Sequence, residues 1–388
     1  MRFGRVDEVR IPRGSATKGS AERIRYGDKV LWSLPLARYI SLGDSIAVGH
    51  AINGDWEKDY GWDAQYGVDG RTETVIVTNS YTDLIRRDLA AKYNGKITAI
   101  SFARSGDTVA DLMEKLTHEA VIKAIKRATL VTICIGANDV LTPAINGIGA
   151  YLNSGAIDDL ARDIDTNLAT LNNDSAPTSF KALFDKLISI NPKAQYVFTT
   201  VYNPYKYLWI EESTEANDYK DGFFGPLMWA IPDWLGDTIA NTIRRTFYNT
   251  AKVQDTIHRV NAIGGLAEGF VTRLNDILRS KINAYGNSNI MLADTKALFD
   301  TVPDRPIPAD KHYNDLVNVE ITRGYVVQDL DWGQFWAGVD WWNAVNNVDQ
   351  IADIVVEAVK DKVILPDVDP HPEEYGHEVL KNSFESAQ

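Results

Sequence analysis

An apolar run that stops at Gly-Asp-Ser constrains this chain more than any other stretch. Tyr39 to Gly49 reads YISLGDSIAVG, and its first residues have the β-branched and aromatic character of a buried strand, which Gly43 ends. Ser45 then stands at the start of a helix, on the tip of a strand-to-helix turn. A serine so placed points its hydroxyl into the crevice at the strand ends, while its own backbone N–H and the helix N-terminus face a developing oxyanion. Gly-Asp-Ser is also a common turn, so the stretch gains meaning only in combination with residues elsewhere in the chain.

From Ala37 onward, apolar runs alternate with segments of helical period, the pattern of βα units around a parallel sheet. Strands are expected at Arg38 to Leu42, Lys96 to Phe102, Leu130 to Ile135, Gln195 to Tyr202 and Ile290 to Ala293. Ser80 reads as the cap of a helix that buries Leu84, Ile85 and Leu89. A second helix after Gly106 places Val109, Leu112, Met113 and Leu116 on one face. Further helices are expected near Ala156 to Leu171 and Ser179 to Ile190.

Residues 1 to 36 differ from the rest. Val9 to Pro12 and Arg23 to Trp32 read as two strand-like pieces separated by the polar Arg13 to Glu22, a small β-like N-terminal appendage. These segments resemble ones common in phage tail and minor structural proteins, which implies an attachment role through residues 1 to 36 and phage tail or baseplate proteins as partners. The rest, 37 to 388, reads as one domain with insertions at about 205 to 262 and 303 to 346. The first insertion carries Gly222 to Leu235, too apolar for an ordinary loop and too rich in proline for a regular helix. The second holds Trp332, Phe335, Trp336, Trp341 and Trp342.

Bulk properties narrow the functions available. A net charge of −13 opposes binding to nucleic-acid phosphate or an anionic membrane, since either needs a positive surface. The one cysteine, Cys134, lies within the strand-like Val131 to Ile135 and reads as a buried small hydrophobe, so no disulfide holds the fold. The first residues, MRFGRVDEVRIPRG, lack the apolar core of a signal peptide, and no segment reads as a membrane span. The expected location is therefore a virion or the cytoplasm. No Cys/His cluster or His-x-x-x-His helix suggests a metal, and no cofactor is expected.

Three later stretches belong with Ser45. In Ser101-Phe-Ala-Arg-Ser-Gly106, the glycine just before a helix lets a backbone N–H approach a reacting centre without a Cβ in the way. In Ile135-Gly-Ala-Asn-Asp139, the Asn138 amide can donate to the same oxyanion, or act as a cap. In Asp369-Pro-His-Pro372, His371 is held between two prolines and is a candidate general base for Ser45. Gly376-His377 open a final helix, while His50, His118, His258 and His312 read as surface or packing residues.

With these four blocks in order, the chain resembles an SGNH hydrolase of the GDSL esterase/lipase superfamily. Gly43-Asp44-Ser45 matches the first block, Ser105-Gly106-Asp107 the second, Gly136-Ala137-Asn138-Asp139 the third, and His371-Pro372 with Gly376 the last. The resemblance implies a flavodoxin-like three-layer α/β/α domain with a central parallel sheet. It also implies Ser45 as nucleophile, His371 as base, and an oxyanion hole from the N–H groups of Ser45 and Gly106 with the Asn138 amide. The family's acid lies three residues before the histidine, where this chain has Val368. Asp369 and Asp367 flank that position, and a backbone carbonyl is the alternative orienting group.

The fold and triad leave the substrate open. Tryptophans at 332, 336, 341 and 342 suit stacking on sugar rings, and the 223 to 235 stretch suits an acyl chain; core packing accounts for either as well. The expected activity is a serine esterase removing acetyl or other short acyl groups from a bacterial surface polysaccharide, as part of a phage virion. A lipase-like acyl hydrolase on lipid esters and a non-catalytic receptor-binding or structural tail module are the alternatives.

Overall fold

A computed structural model describes residues 23–26, 29–33, 37–50, 52, 76–155, 157–206, 251–301, 371–372 and 374–387. Its centre is a five-stranded, all-parallel sheet. The strands are β3 (Ala37–Gly43), β4 (Ile97–Ser101), β5 (Leu130–Cys134), β6 (Gln195–Thr199) and β7 (Ile290–Ala293), in the order β4-β3-β5-β6-β7. Numbered within the sheet this is 2-1-3-4-5, the flavodoxin-like order, whose reversal beside the first strand opens a crevice at the carboxyl ends.

Alternation along the strands builds three layers. Ile40, Leu42, Val131, Ile133, Tyr196, Phe198 and Ile290 join one buried cluster. Tyr39, Leu130, Cys134, Val197 and Ala293 join the other. Successive side chains point to opposite faces of a sheet, so each of these strands feeds two cores.

The first face is covered by α3 (Val109–Lys115), α4 (Glu119–Ile125), α5 (Ala137–Ser154), α6 (Ile157–Asn172), α7 (Phe180–Ile190) and α8 (Ala251–Tyr285). The second is covered by α1 (Ser45–Val48), α2 (Tyr81–Lys92), α9 (Thr295–Asp300) and α10 (Glu374–Ser386). Local chemistry starts these helices where the sequence suggests. The Ser80 hydroxyl accepts the N–H of Asp83, and Thr108 and Asp111 form a reciprocal capping box ahead of α3.

Several expectations are refined. Gln195 to Tyr202 is strand only as far as Thr199, because Val201 leaves the ladder and pairs through both its N–H and its carbonyl with the Asn275 side chain at 2.8 Å each. The buried face of α2 is Tyr81, Thr82 and Ile85, with Leu84 and Leu89 half-buried. Arg23 to Trp32 is not one strand. It contains β1 (Arg23–Tyr26) and β2 (Lys29–Ser33), paired antiparallel in a sheet of their own; the two residues between them, Gly27 and Asp28, have the composition of a tight hairpin connection.

Residues 251–262, read as the end of the first insertion, are the opening turns of the 35-residue α8. The rest of that insertion, residues 207–250, and all of 303–346 lie outside the described residues, as does Val9 to Pro12.

Gly43 marks the tightest constraint in the sheet. Its φ is +137°, and a Cβ there would lie 2.0 Å from the carbonyl oxygen of Cys134. Both facts follow from register, since Gly43 sits opposite Cys134 in the β3–β5 pairing and Asp44 N–H then donates to the same carbonyl at 3.0 Å. Gly43→Ala must push two paired strands apart at a backbone-to-backbone contact. We expect a loss of more than about 3 kcal/mol, read as a collapse of the urea midpoint or as insoluble protein; a variant as stable as the parent would contradict this packing.

Candidate active site

The first three signature blocks meet at the carboxyl ends of adjacent strands, tied by backbone hydrogen bonds. Arg104 N–H, in the loop after β4, donates to Gly43 O at 2.9 Å, which draws Ser105 and Gly106 beside the Gly43-Asp44-Ser45 turn. Asp44 N–H on Cys134 O links that turn to the end of β5. The Asn138 amide donates to Asp107 O at 3.0 Å, and Asp139 Oδ2 accepts the N–H of Val109 at 3.0 Å, so the second and third blocks close on each other.

Ser45 is the first residue of α1 and is half-buried. The helix has only four residues, too few to build a macrodipole, so its electrostatic contribution reduces to individual N–H groups. Asp44 caps it: Oδ1 accepts the Ile46 N–H at 3.1 Å, and Asp44 O accepts that of Val48. Among the described residues, the N–H groups of Ser45 and Gly106 have no acceptor. One of the two Asn138 amide hydrogens is likewise unused. Three donors with spare capacity thus stand on three neighbouring blocks, the arrangement that stabilises a tetrahedral oxyanion.

Gly106 has φ +84°, and among the described residues a Cβ there would meet nothing within 4 Å. The left-handed backbone conformation by itself favours glycine here.

Three carboxylates lie beneath the site. Asp44 is fully buried, and desolvation, reinforced by Asp107 and Asp139, pushes its pKa up to about 7 against the Ile46 hydrogen bond. Desolvation also raises Asp107 and Asp139, each to about 6. Asp107 pairs with the buried Lys115, whose ammonium also donates to Phe102 O at 2.7 Å. Burial lowers the pKa of that lysine, and the Asp107 charge opposes the shift.

The last block reaches the site through its ring contact and its helix. His371 is half-buried, with its imidazole 4.5 Å from that of His50, centroid to centroid, at 44°. Helix α10, which comes next, is pinned to α2. Asn79 donates to Glu374 Oε1 at 2.7 Å, and Tyr81 N–H donates to His377 Nδ1 at 3.2 Å. His377, which the sequence marked only as a helix opening, is fully buried. His50, read as a surface or packing residue, packs against the candidate base; its place five residues after Ser45, at the end of a one-turn helix, was the available signal. Asp367, Asp369 and Trp332, Trp336, Trp341 and Trp342 lie outside the described residues.

A shallow apolar hollow opens along α5, beginning at Val140 and Leu141 just after Asn138 and running past Tyr151 to Ile263 and Phe270 of α8. Gly136 sits against Leu274, and Tyr151 O accepts from Arg259, so α5 and residues 259–274 of α8 run side by side in opposite directions. At 1.5 Å of rise per residue they extend beyond the carboxyl edge of the sheet and form a wall there. Among the described residues no group of three or more acidic, histidine or cysteine side chains has the arrangement of a metal site, and no helix is long and apolar enough to cross a membrane.

Residues 41–223 match the model of the GDSL-like lipase/acylhydrolase family. Over those residues, just under half of the chain, the sequence is that of a GDSL-like lipase/acylhydrolase domain. The matched region begins within β3 and takes in the Ser45, Gly106 and Asn138 blocks. No curated protein matches the chain.

Solved structures similar to it include a lipase from a goat rumen metagenome, at 12% identity and TM-score 0.41, covering 90% of this chain and 96% of that one. An extracellular lipase of Streptomyces rimosus aligns at 17% identity and TM-score 0.37 over 71% of this chain and 92% of its own. A variant of an acetyl xylan esterase from Geobacillus stearothermophilus aligns at 14% and 0.33 over 90% and 92%.

His377 gives the protein a measurable pH signature. Burial, with the neighbouring His371 charge, lowers its pKa from 6.5 to about 3. The unfolded chain therefore binds a proton between pH 6.5 and 3 that the folded one does not, and stability falls as pH drops through that window. Asp44, Asp107 and Asp139 act oppositely, since their raised values remove stability as pH climbs from about 4 to about 6 or 7. The wild-type profile is a sum of opposing contributions, so the difference from His377→Gln isolates the imidazole. Urea unfolding should show the variant's deficit at pH 7.5 shrinking by about 2 kcal/mol at pH 5. A constant deficit would mean that His377 titrates as an exposed imidazole does.

Proposed function

We propose that the domain is a serine esterase in which Ser45 is the nucleophile and His371 the general base, acting on acetyl or other short acyl esters of a bacterial surface polysaccharide. The observation that supports this reading is that three hydrogen-bond donors with unused capacity among the described residues stand on three blocks tied together after adjacent strand ends.

Ser45 Oγ attacks the ester carbonyl while His371 accepts its proton; the carbonyl oxygen becomes an oxyanion held by the N–H groups of Ser45 and Gly106 and by the Asn138 amide. His371 returns the proton to the departing alcohol, leaving an acyl-serine. Water, deprotonated by the same imidazole, then releases the acid. Asp369 or Asp367 orients the base in this scheme. The tryptophans at 332, 336, 341 and 342 are the proposed glycan contacts, and residues 1 to 36 the proposed attachment to a virion.

Short-chain aryl esters test the chemistry without presuming the glycan. Ser45→Ala and His371→Ala should abolish turnover with the fold intact, and Asn138→Ala should lower kcat by roughly 10² to 10³, the cost of one oxyanion donor. Undiminished turnover in Ser45→Ala would overturn the assignment.

A second reading, hydrolysis of lipid esters, is favoured by the apolar hollow that starts next to Asn138. The two readings divide on acyl length. If the hollow takes an acyl chain, aryl octanoate is preferred over acetate, and Ala267→Trp lowers kcat/KM for octanoate by roughly tenfold or more while sparing acetate. Preference for acetate, unaffected by Ala267→Trp, supports the short-acyl reading.

A further inference from the structure

His50 takes no part in the chemistry proposed above, yet it touches three of the four signature blocks. Its backbone N–H donates to Ser45 O at 3.1 Å, its Nδ1 lies 3.5 Å from Ser105 Oγ, and its ring packs on His371 at 4.5 Å. The contact is built into the way α1 ends. Gly49 closes the helix with φ +83°, its N–H reaching Ser45 O and Ile46 O. A Cβ at Gly49 would stand 2.6 Å from Ser80 Cβ, so the turn that delivers His50 is wedged against the cap of α2.

We propose that His50 is a positioning residue for His371, resting on the reading of His371 as the base. The outer torsion of a histidine is broad and roughly two-fold, so backbone restriction by Pro372 does not fix the plane of the His371 ring. A second ring packed against it does. That second ring hangs one helical turn from Ser45, so nucleophile and base are placed from one short rigid segment although they come from opposite ends of the chain. Misalignment of about 1 Å between reacting groups can cost on the order of a hundredfold in rate, which makes such a wall worth having.

The experiment uses the full chain with a short-chain aryl ester and three substitutions. His50→Ala removes the ring, His50→Gln keeps a polar group for Ser105 without a ring, and His50→Phe keeps the ring without its nitrogens. Positioning by the ring predicts that Ala and Gln lower kcat by about ten- to a hundredfold with KM within about twofold, and that Phe recovers most of the loss. A purely structural residue would instead move the melting temperature and leave kcat per folded molecule unchanged. His50→Ala turning over as fast as the parent, or Phe as slow as Ala, would overturn the inference; if Ala does not fold, Phe against Gln decides it in the same way. Ser45→Ala run in parallel separates the two readings. Activity surviving in Ser45→Ala removes the nucleophile assignment and this inference with it, whereas an inactive Ser45→Ala beside a fully active His50→Ala removes only the role of His50.

Discussion

The close backbone approach of Gly43 to the carbonyl of Cys134 is the contact on which the site depends. β3 is bonded on one side to β4 and on the other to β5, and its final residue is pressed against Cys134 of β5. Because Gly43 has no Cβ, Asp44 N–H can take the Cys134 carbonyl, and because Asp44 is thereby fixed, its side chain and carbonyl can start α1 at Ser45. The Gly43 carbonyl in turn accepts from Arg104 and brings the Gly106 turn alongside. Three strand ends are thus registered through one residue pair, and the geometry of Ser45, Gly106 and Asn138 follows from strand pairing that the whole sheet enforces.

That registration has an electrostatic cost. It places Asp44, Asp107 and Asp139 where water is largely excluded, and their raised pKa values measure how unfavourable the charged forms are there. Each carboxylate nonetheless has a positional task. Asp44 caps α1, Asp139 accepts the first N–H of α3, and Asp107 holds Lys115 while its carbonyl anchors Asn138. The face of the sheet below the site carries a related polar seam, in which Tyr39 bonds Thr132 at 2.9 Å and Ser41 bonds Thr82 at 3.1 Å. Asp44 Oδ2, Tyr81 Oη and His377 Nε2 remain buried without a partner among the described residues. An apolar core would be more stable; this one holds specific atoms beside a serine, the exchange expected where strain and desolvation concentrate at a functional site.

The fold was legible because its signal is periodic and its strands are short and mostly apolar. Leu130 to Ile135 and Ile290 to Ala293 lie on both faces of the sheet and have no alternation to misread. Glycines were legible as markers of turns, although only the structure separates Gly43, required by crowding, from Gly106, required by its left-handed φ. What escaped the sequence is of another kind. His377 and Tyr81 are 296 residues apart, and nothing local marks a histidine in the first turns of a helix as buried and neutral. His50 escaped for the same reason, since its partner arrives from the far end of the chain. The Arg23 to Trp32 hairpin was missed although Gly27-Asp28 interrupts it; a break of two residues was read as part of one extended piece. The placement of Ser45, Gly106 and Asn138 was easier to read because each follows the end of its own strand, where local sequence and global position coincide.

How His371 reaches the ring of His50 shows why polar docking suits the last element. Helix α10 covers the second face of the sheet through Val379, Leu380 and Phe384, and apolar burial alone would tolerate sliding along that face. Its polar contacts do not. Glu374 must meet Asn79, Nδ1 of a neutral His377 must meet the Tyr81 N–H, and Ser383 must meet Thr295 at 2.6 Å, which is itself bonded to Thr199 of β6. Directional bonds at three points along the helix set both its translation and its rotation. The histidine that precedes it by three residues is then delivered to one place, against the ring of His50, and a site assembled from both ends of the chain exists only once the whole sheet has closed.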